Sequence, residues 1–82
     1  SHRQVIISHQ AGDTYEIGEP GGSWPWEGTF ALNGSSISGS GQFIQSGQRM
    51  RLVGEVISNN EIYIEYHYIG ENRVDEHFYY PR

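Results

Sequence analysis

The chain has 82 residues with eleven glycines, two tryptophans, six tyrosines, three phenylalanines and no cysteine, which describes one small domain without disulfides or cysteine-based metal sites. Ten acidic residues stand against five arginines and no lysine, a net charge of −5, the wrong sign for a surface that tracks phosphates, so nucleic acid is not expected as a partner. No apolar stretch approaches the roughly 18 residues of a spanning helix, so the expectation is a soluble chain with no membrane partner and no leader.

In chain order, β-branched and aromatic segments alternate with turn chemistry at Ala11-Gly12-Asp13, Gly18-Glu19-Pro20-Gly21-Gly22, Asn33-Gly34, Ser46-Gly47, Asn59-Asn60 and Gly70-Glu71-Asn72. No 3.6-residue apolar period lasts beyond a turn. The pattern predicts strands near 3–10, 14–17, 24–32, 35–45, 48–58, 61–69 and 73–80. The expected fold is all-β: a small antiparallel up-and-down meander of six to seven strands forming a coiled sheet or small barrel over residues 1–82.

Hairpin geometry sets which side chains share a face. A two-residue turn at Asn33-Gly34 puts Phe30 opposite Ile37, Gly28 opposite Gly39, Trp26 opposite Gly41 and Trp24 opposite Phe43. A second at Ser46-Gly47 puts Phe43 opposite Met50, Gly41 opposite Leu52, Gly39 opposite Gly54 and Ile37 opposite Val56. Both place apolar residues or glycine on one side. A two-residue turn at Asn59-Asn60 would mix the faces, so a three-residue loop or an equivalent bulge is expected there, bringing Val56 to Ile64, Gly54 to Tyr66 and Leu52 to Tyr68. A three-residue loop at Gly70-Glu71-Asn72 then sets Val74 by Tyr68, Glu76 by Tyr66 and Phe78 by Ile64.

The predicted inner face carries a row of Gly28, Gly39 and Gly54 continued by Tyr66 and Glu76, beside a second row of Trp26, Gly41, Leu52, Tyr68 and Val74. Strand glycines either let a sheet coil sharply or leave room for something bulky. The first alternative is curvature covered by aromatic rings. The second is a pocket of Trp26, Gly28, Gly39, Gly41, Gly54, Tyr66 and Tyr68, anchored by the carboxylate of Glu76. A one-residue shift of the last strand would put His77 in that place instead.

The outer face is expected to gather Thr29, Ser38, Glu55, Glu65 and His77, next to Glu27, Ser40, Val53, His67 and Asp75. Imidazole and carboxylate ligate metals in principle, but no local motif accompanies them, and neither metal nor cofactor is assigned. At one end of this face Ile57, Tyr63 and Tyr79 form an apolar row suited to an interface. The N-terminal segment Val5-Ile6-Ile7 either covers that row or pairs with the last strand to close a barrel.

Gly22-Ser23-Trp24, leading into an antiparallel meander with aromatic and glycine residues inward, resembles the Gly-x-Trp opening of lipocalins and related calycin barrels. The resemblance covers three residues and implies a ligand cavity. Lipocalins are about twice as long and have eight strands.

Phosphate-loop, nucleophile and metalloprotease motifs are all lacking. The one acid-base arrangement left would use an inward Glu76 with Tyr66 and Tyr68, and a non-enzymatic role is the expectation. Two functions follow. One is an interaction domain that binds a protein partner, or itself as a homo-oligomer, through the aromatic outer face or an edge strand. The other is a binder of a small apolar, aromatic or sugar molecule over the glycine row.

Overall fold

Seven strands, and no helix among the described residues, make up the computed structural model of the chain, which describes residues 3–81. They are β1 (Arg3–Ala11), β2 (Thr14–Glu19), β3 (Trp26–Asn33), β4 (Ser36–Phe43), β5 (Arg49–Ser58), β6 (Glu61–Tyr68) and β7 (Val74–Pro81). Each pairs with its sequence neighbour, and β1 pairs with β7 to close a barrel. An odd number of strands in up-and-down order leaves the first and last pointing the same way. The closing pair is therefore parallel, and it spans only Arg3 to Tyr79, Gln4 to Tyr80 and Val5 to Pro81.

The two ends of the barrel differ. At one end the strands turn through pairs of residues, Gly12-Asp13, Gly34-Ser35 and Asn59-Asn60, with Gly12 and Gly34 in the left-handed region at φ 55° and 63°. At the other end lie the longer loops 20–25, 44–48 and 69–73, together with Arg3 at the start of β1. Tight turns shut the first end. Longer loops leave the second end open.

Inward side chains alternate along every strand. Val5, Ile17, Trp26, Phe30, Ile37, Met50, Leu52, Ile62, Ile64, Tyr66 and Tyr79 form one buried core, flanked by Ile7, Tyr15, Leu32, Phe43, Val56 and Tyr68. The expected inner face of β3 to β6 is thus inward. The register along it differs by two residues, because the first hairpin turns at Gly34-Ser35 and the second through loop 44–48. Phe30 faces Gly39, Gly28 faces Gly41 and Trp26 faces Phe43, while Ile37 faces Gly54 and Gly39 faces Leu52. The Asn59-Asn60 turn does contain two residues, and a bulge between Val56 and Ser58 restores the faces, setting Gly54 opposite Ile64 and Leu52 opposite Tyr66.

Gly28, Gly39 and Gly54 therefore do not stand abreast; the directly paired glycines are Gly28 and Gly41. Their shared property is close approach of the neighbouring strand. A Cβ on Gly39 would collide with the Thr29 carbonyl oxygen and lie 2.6 Å from the Phe30 Cα. One on Gly41 would lie 2.7 Å from the Glu27 carbonyl oxygen, and one on Gly54 would collide with that of Tyr63. These glycines give the sheet the tight coil that a small barrel requires.

The last strand is inverted relative to expectation. Tyr63 pairs with Phe78, Ile64 with His77, Glu65 with Glu76 and Tyr66 with Asp75. Five residues, 69–73, connect β6 to β7, which changes the parity. Glu76 consequently faces outward, and Asp75, His77 and Tyr79 face inward. Tyr79 is completely buried, so it belongs to the core and not to an outer apolar row.

Adding one methyl group distinguishes these crowded glycines from free ones. Gly39→Ala should lower the stability read from urea unfolding by about 2–3 kcal/mol, whereas Gly21→Ala, with nothing within 4 Å of its Cβ position, should leave the midpoint unchanged.

Candidate binding site at the open end of the barrel

A cavity of about 440 Å³ opens between the longer loops, within the size range of small-molecule sites. Trp26 and Tyr66 are its most deeply buried lining residues, at 1% and 2% exposed. Phe43 and Tyr68 stand beside them with nearly parallel rings, 6.0 Å between centroids, and Trp24 lines the rim at 69% exposed. Strand alternation explains the wall: Trp26, Phe43, Tyr66 and Tyr68 occupy inward positions at the strand ends nearest the loops. Both tryptophans of the chain line this one cavity.

The polar part of the wall comes from the inverted last strand. Asp75 accepts a hydrogen bond from the Tyr68 hydroxyl at 2.8 Å and pairs with Arg73 at 3.0 Å; the Arg73 guanidinium also lies 4.7 Å from the centre of the Tyr68 ring. The Tyr68 hydrogen bond, followed by the Arg73 bond and charge, holds the Asp75 carboxyl below its ordinary pKa. Burial and the hydrogen bond to Asp75 push the Tyr68 phenol up to about 12. His77 is lowered, first by burial and then by the charge of Arg3, so its ring is neutral at pH 7.

Arg3 links this wall to the barrel seam. Its guanidinium donates to the Tyr79 hydroxyl at 3.0 Å, lies 3.4 Å from His77 Nδ1 and pairs through Nε with the Glu19 carboxylate at 2.9 Å. Glu19 is 4% exposed and its other oxygen accepts the Trp26 indole N–H at 2.9 Å. A buried carboxylate is tolerable only when paired in this way.

One group in the wall lacks such satisfaction. The Tyr66 hydroxyl is buried with no hydrogen-bond partner among the described residues, although the ring is held by Trp26 at 5.3 Å and His77 at 5.0 Å. A buried polar group left unpaired costs stability.

Of the residues the sequence nominates for ligand binding, the cavity brings together Trp26, Tyr66 and Tyr68. Gly28, Gly39, Gly41 and Gly54 lie at close strand approaches instead, and Glu76 is outside. Reasoning from the sequence missed Arg3 and Glu19, and assigned Asp75 and His77 to the outer face. The signal for Glu19 was its spacing from Trp26, which places both at the loop ends of adjacent strands.

On the outer face Tyr63 sits between two carboxylates, its hydroxyl 2.7 Å from both Glu65 and Glu76, with His67 bonded to Glu65 at 2.9 Å. Hydrogen bonds from Tyr63 and then His67 lower the Glu65 carboxyl, and the two acids raise the Tyr63 phenol. Glu65 and Glu76 are direct cross-strand partners, while Glu55 stands opposite Tyr63. No group of three or more His, Asp or Glu among the described residues is placed to hold a metal ion. A wider depression of about 620 Å³ lies over β1 to β5, lined by outward groups such as Glu16, Glu27, Gln42 and Arg49. It is the larger hollow but a shallow one. The open-end cavity differs from it in its clustered aromatic wall of Trp24, Trp26, Phe43, Tyr66 and Tyr68.

No known protein family, curated protein or solved structure matches the chain. The Gly22-Ser23-Trp24 segment that resembles a lipocalin opening lies in loop 20–25, ahead of β3.

Removing the unpaired hydroxyl tests what it costs the fold. Tyr66→Phe should stabilise the free protein by about 1 kcal/mol, a rise of roughly 4–8 °C in Tm for a domain of this size. A fall in Tm would mean that the hydroxyl is held by a trapped water or another partner.

Proposed function

We propose that this barrel is a binding module that takes a small molecule with one flat or apolar face into its open end. The observation that carries the reading is the cavity itself, about 440 Å³ walled by Trp24, Trp26, Phe43, Tyr66 and Tyr68. Barrel mouths are common ligand sites because a rigid sheet holds the wall while loops shape the entrance. Here the walls come from β3, β4, β6 and β7, and the rim from loops 20–25, 44–48 and 69–73. The ligand class is the apolar, aromatic or sugar class anticipated from the sequence, but its place is the open end and not the glycine row. The acid-base arrangement built on Glu76 has no basis, because Glu76 points away from Tyr66.

Because Trp24 and Trp26 both line the cavity, intrinsic fluorescence reports on it directly. A ligand from the class should change the emission saturably, and Trp24→Ala, at an exposed rim position, should remove much of that change while preserving the fold. An emission unmoved by every compound in such a screen would count against the reading.

A second reading, association with a protein partner or another copy, rests on the outer face. Ile57 and Phe78 are each 48% exposed and Tyr80 is 46% exposed, with Tyr63 packed on Phe78 at 5.1 Å. Exposed aromatic groups of this kind suit interfaces. For self-association, the mass from light scattering should rise with concentration and return to that of a monomer in Phe78→Asp. A constant monomeric mass would remove that form of the reading.

A further inference from the structure

We propose that His77 is a pH-sensitive latch on the barrel seam: its neutral ring helps to hold Arg3 in place, and its protonation releases Arg3 and loosens β1 from β7 at the open end. The latch goes beyond the binding reading and needs no ligand, although both side chains line the same cavity. The β1–β7 pair is three residues long and begins at Arg3 itself, opposite Tyr79. A guanidinium only donates, so the His77 Nδ1 lying 3.4 Å from Arg3 Nη2 is assigned the lone pair, and the ring proton goes to Nε2. The same Nη2 donates to the Tyr79 hydroxyl at 3.0 Å, and Nε pairs with the Glu19 carboxylate at 2.9 Å. Arg3 thus ties β1 to β7 and β2 at the one place where the backbone ladder is short.

Protonation reverses this contact. It removes the acceptor at Nδ1 and sets a second cation against the guanidinium, close enough for strong repulsion. The two groups are not equally free to move. The His77 ring packs on those of Tyr66 and Tyr79, with centroids 5.0 Å and 5.8 Å away, whereas the Arg3 side chain is 48% exposed and can turn into water. Arg3 is therefore the member that leaves. Among the described residues, the remaining charged groups around the ring are Glu19 on β2 and Asp75 on β7, with Glu71 at the rim; Asp75 is already engaged by Tyr68 and Arg73. Burial and then the Arg3 charge oppose the imidazolium, Asp75 and Glu19 favour it, and the balance lies below the ordinary value of 6.5. Once Arg3 has withdrawn, the imidazolium replaces it as the cation near Glu19. Because the closed seam lowers the His77 pKa, the open seam binds the proton more tightly. Closure is at full strength above 6.5 and weakens as the pH falls through that value.

The test follows the full chain by NMR from about pH 7.5 to about pH 5. The carbon-bound ring protons of His77 report its charge, and hydrogen exchange of the seam amides in residues 3–5 and 79–80, corrected for the intrinsic pH dependence of exchange, reports closure. As the ring titrates, the protected seam amides should exchange roughly threefold faster or more, while those of β4 and β5 keep their protection. The Trp26 indole N–H, which shares Glu19 with Arg3, should shift with the same midpoint. His77→Gln offers Arg3 an acceptor that does not titrate and should keep the seam closed over the whole range, whereas His67→Gln, on the outer face, should leave the transition in place. Arg3→Gln gives an independent check if His77→Gln misfolds: with the opposing charge gone, His77 should titrate at a higher pH than in the parent. Seam amides equally protected with the ring neutral and charged, a loss of protection that persists in His77→Gln, a ring still neutral at the acid end, or an unmoved titration in Arg3→Gln would each overturn the latch. None of these results bears on whether the cavity takes a small molecule, which the fluorescence screen decides.

Discussion

The Arg3 guanidinium holds together the part of the barrel that the backbone holds least. A seven-strand meander must close through a parallel pair, and here that pair is three residues long. Arg3 reaches from this seam to Tyr79 on β7 and to Glu19 on β2, so one side chain ties three strands. Glu19 in turn fixes the Trp26 indole, and Trp26 packs against Tyr66 and Tyr79. The closure of the barrel and the shape of its open end are therefore one network. A buried carboxylate with two partners is costly to disturb from any side, because loss of one partner leaves charge without compensation.

Around that network, the division of labour between the two ends follows from loop length. Two-residue turns fix register and leave no room above the core. Loops of five and six residues hold Trp24, Gln48 and Arg73 around a wall that the strands have already set. The wall is rigid because its aromatic rings brace one another, with Tyr66 in edge contact with Trp26, Phe43 and Tyr68. Preorganisation of this sort lowers the ordering cost of binding. The crowded glycines contribute at a distance: by letting strands approach closely, they keep the barrel narrow enough for side chains from opposite walls to meet.

Much of the architecture was legible in the chain. Turn residues marked six of the connections, and alternation sorted the inward residues of β3 to β6 correctly even though register moved by two, since a two-residue slip preserves the face. The last strand was not legible. Val74, Phe78 and Tyr80 are more apolar than Asp75, His77 and Tyr79, so hydrophobicity argued for the wrong face. Inward Asp75 and His77 are tolerated because they lie toward the open end, and Tyr79 reaches the core with its hydroxyl satisfied by Arg3. The strand that lines the open end is thus where local pattern and final fold disagree, as expected where surface chemistry outweighs core formation. Glu19 was hidden for a different reason: its partners, Arg3 and Trp26, come from separate strands, and a glycine-rich loop context reads as solvent.

The odd strand count also has a geometric outcome. Because β1 and β7 run in parallel, β1 starts beside loops 20–25, 44–48 and 69–73, whereas β7 finishes beside the tight turns, toward the far pole of a body whose longest dimension is 30 Å. An even-stranded meander would bring both termini to the same pole. Here a tether or neighbouring module that continues from β7 would hang from the shut pole, while one that leads into β1 would sit beside the open one.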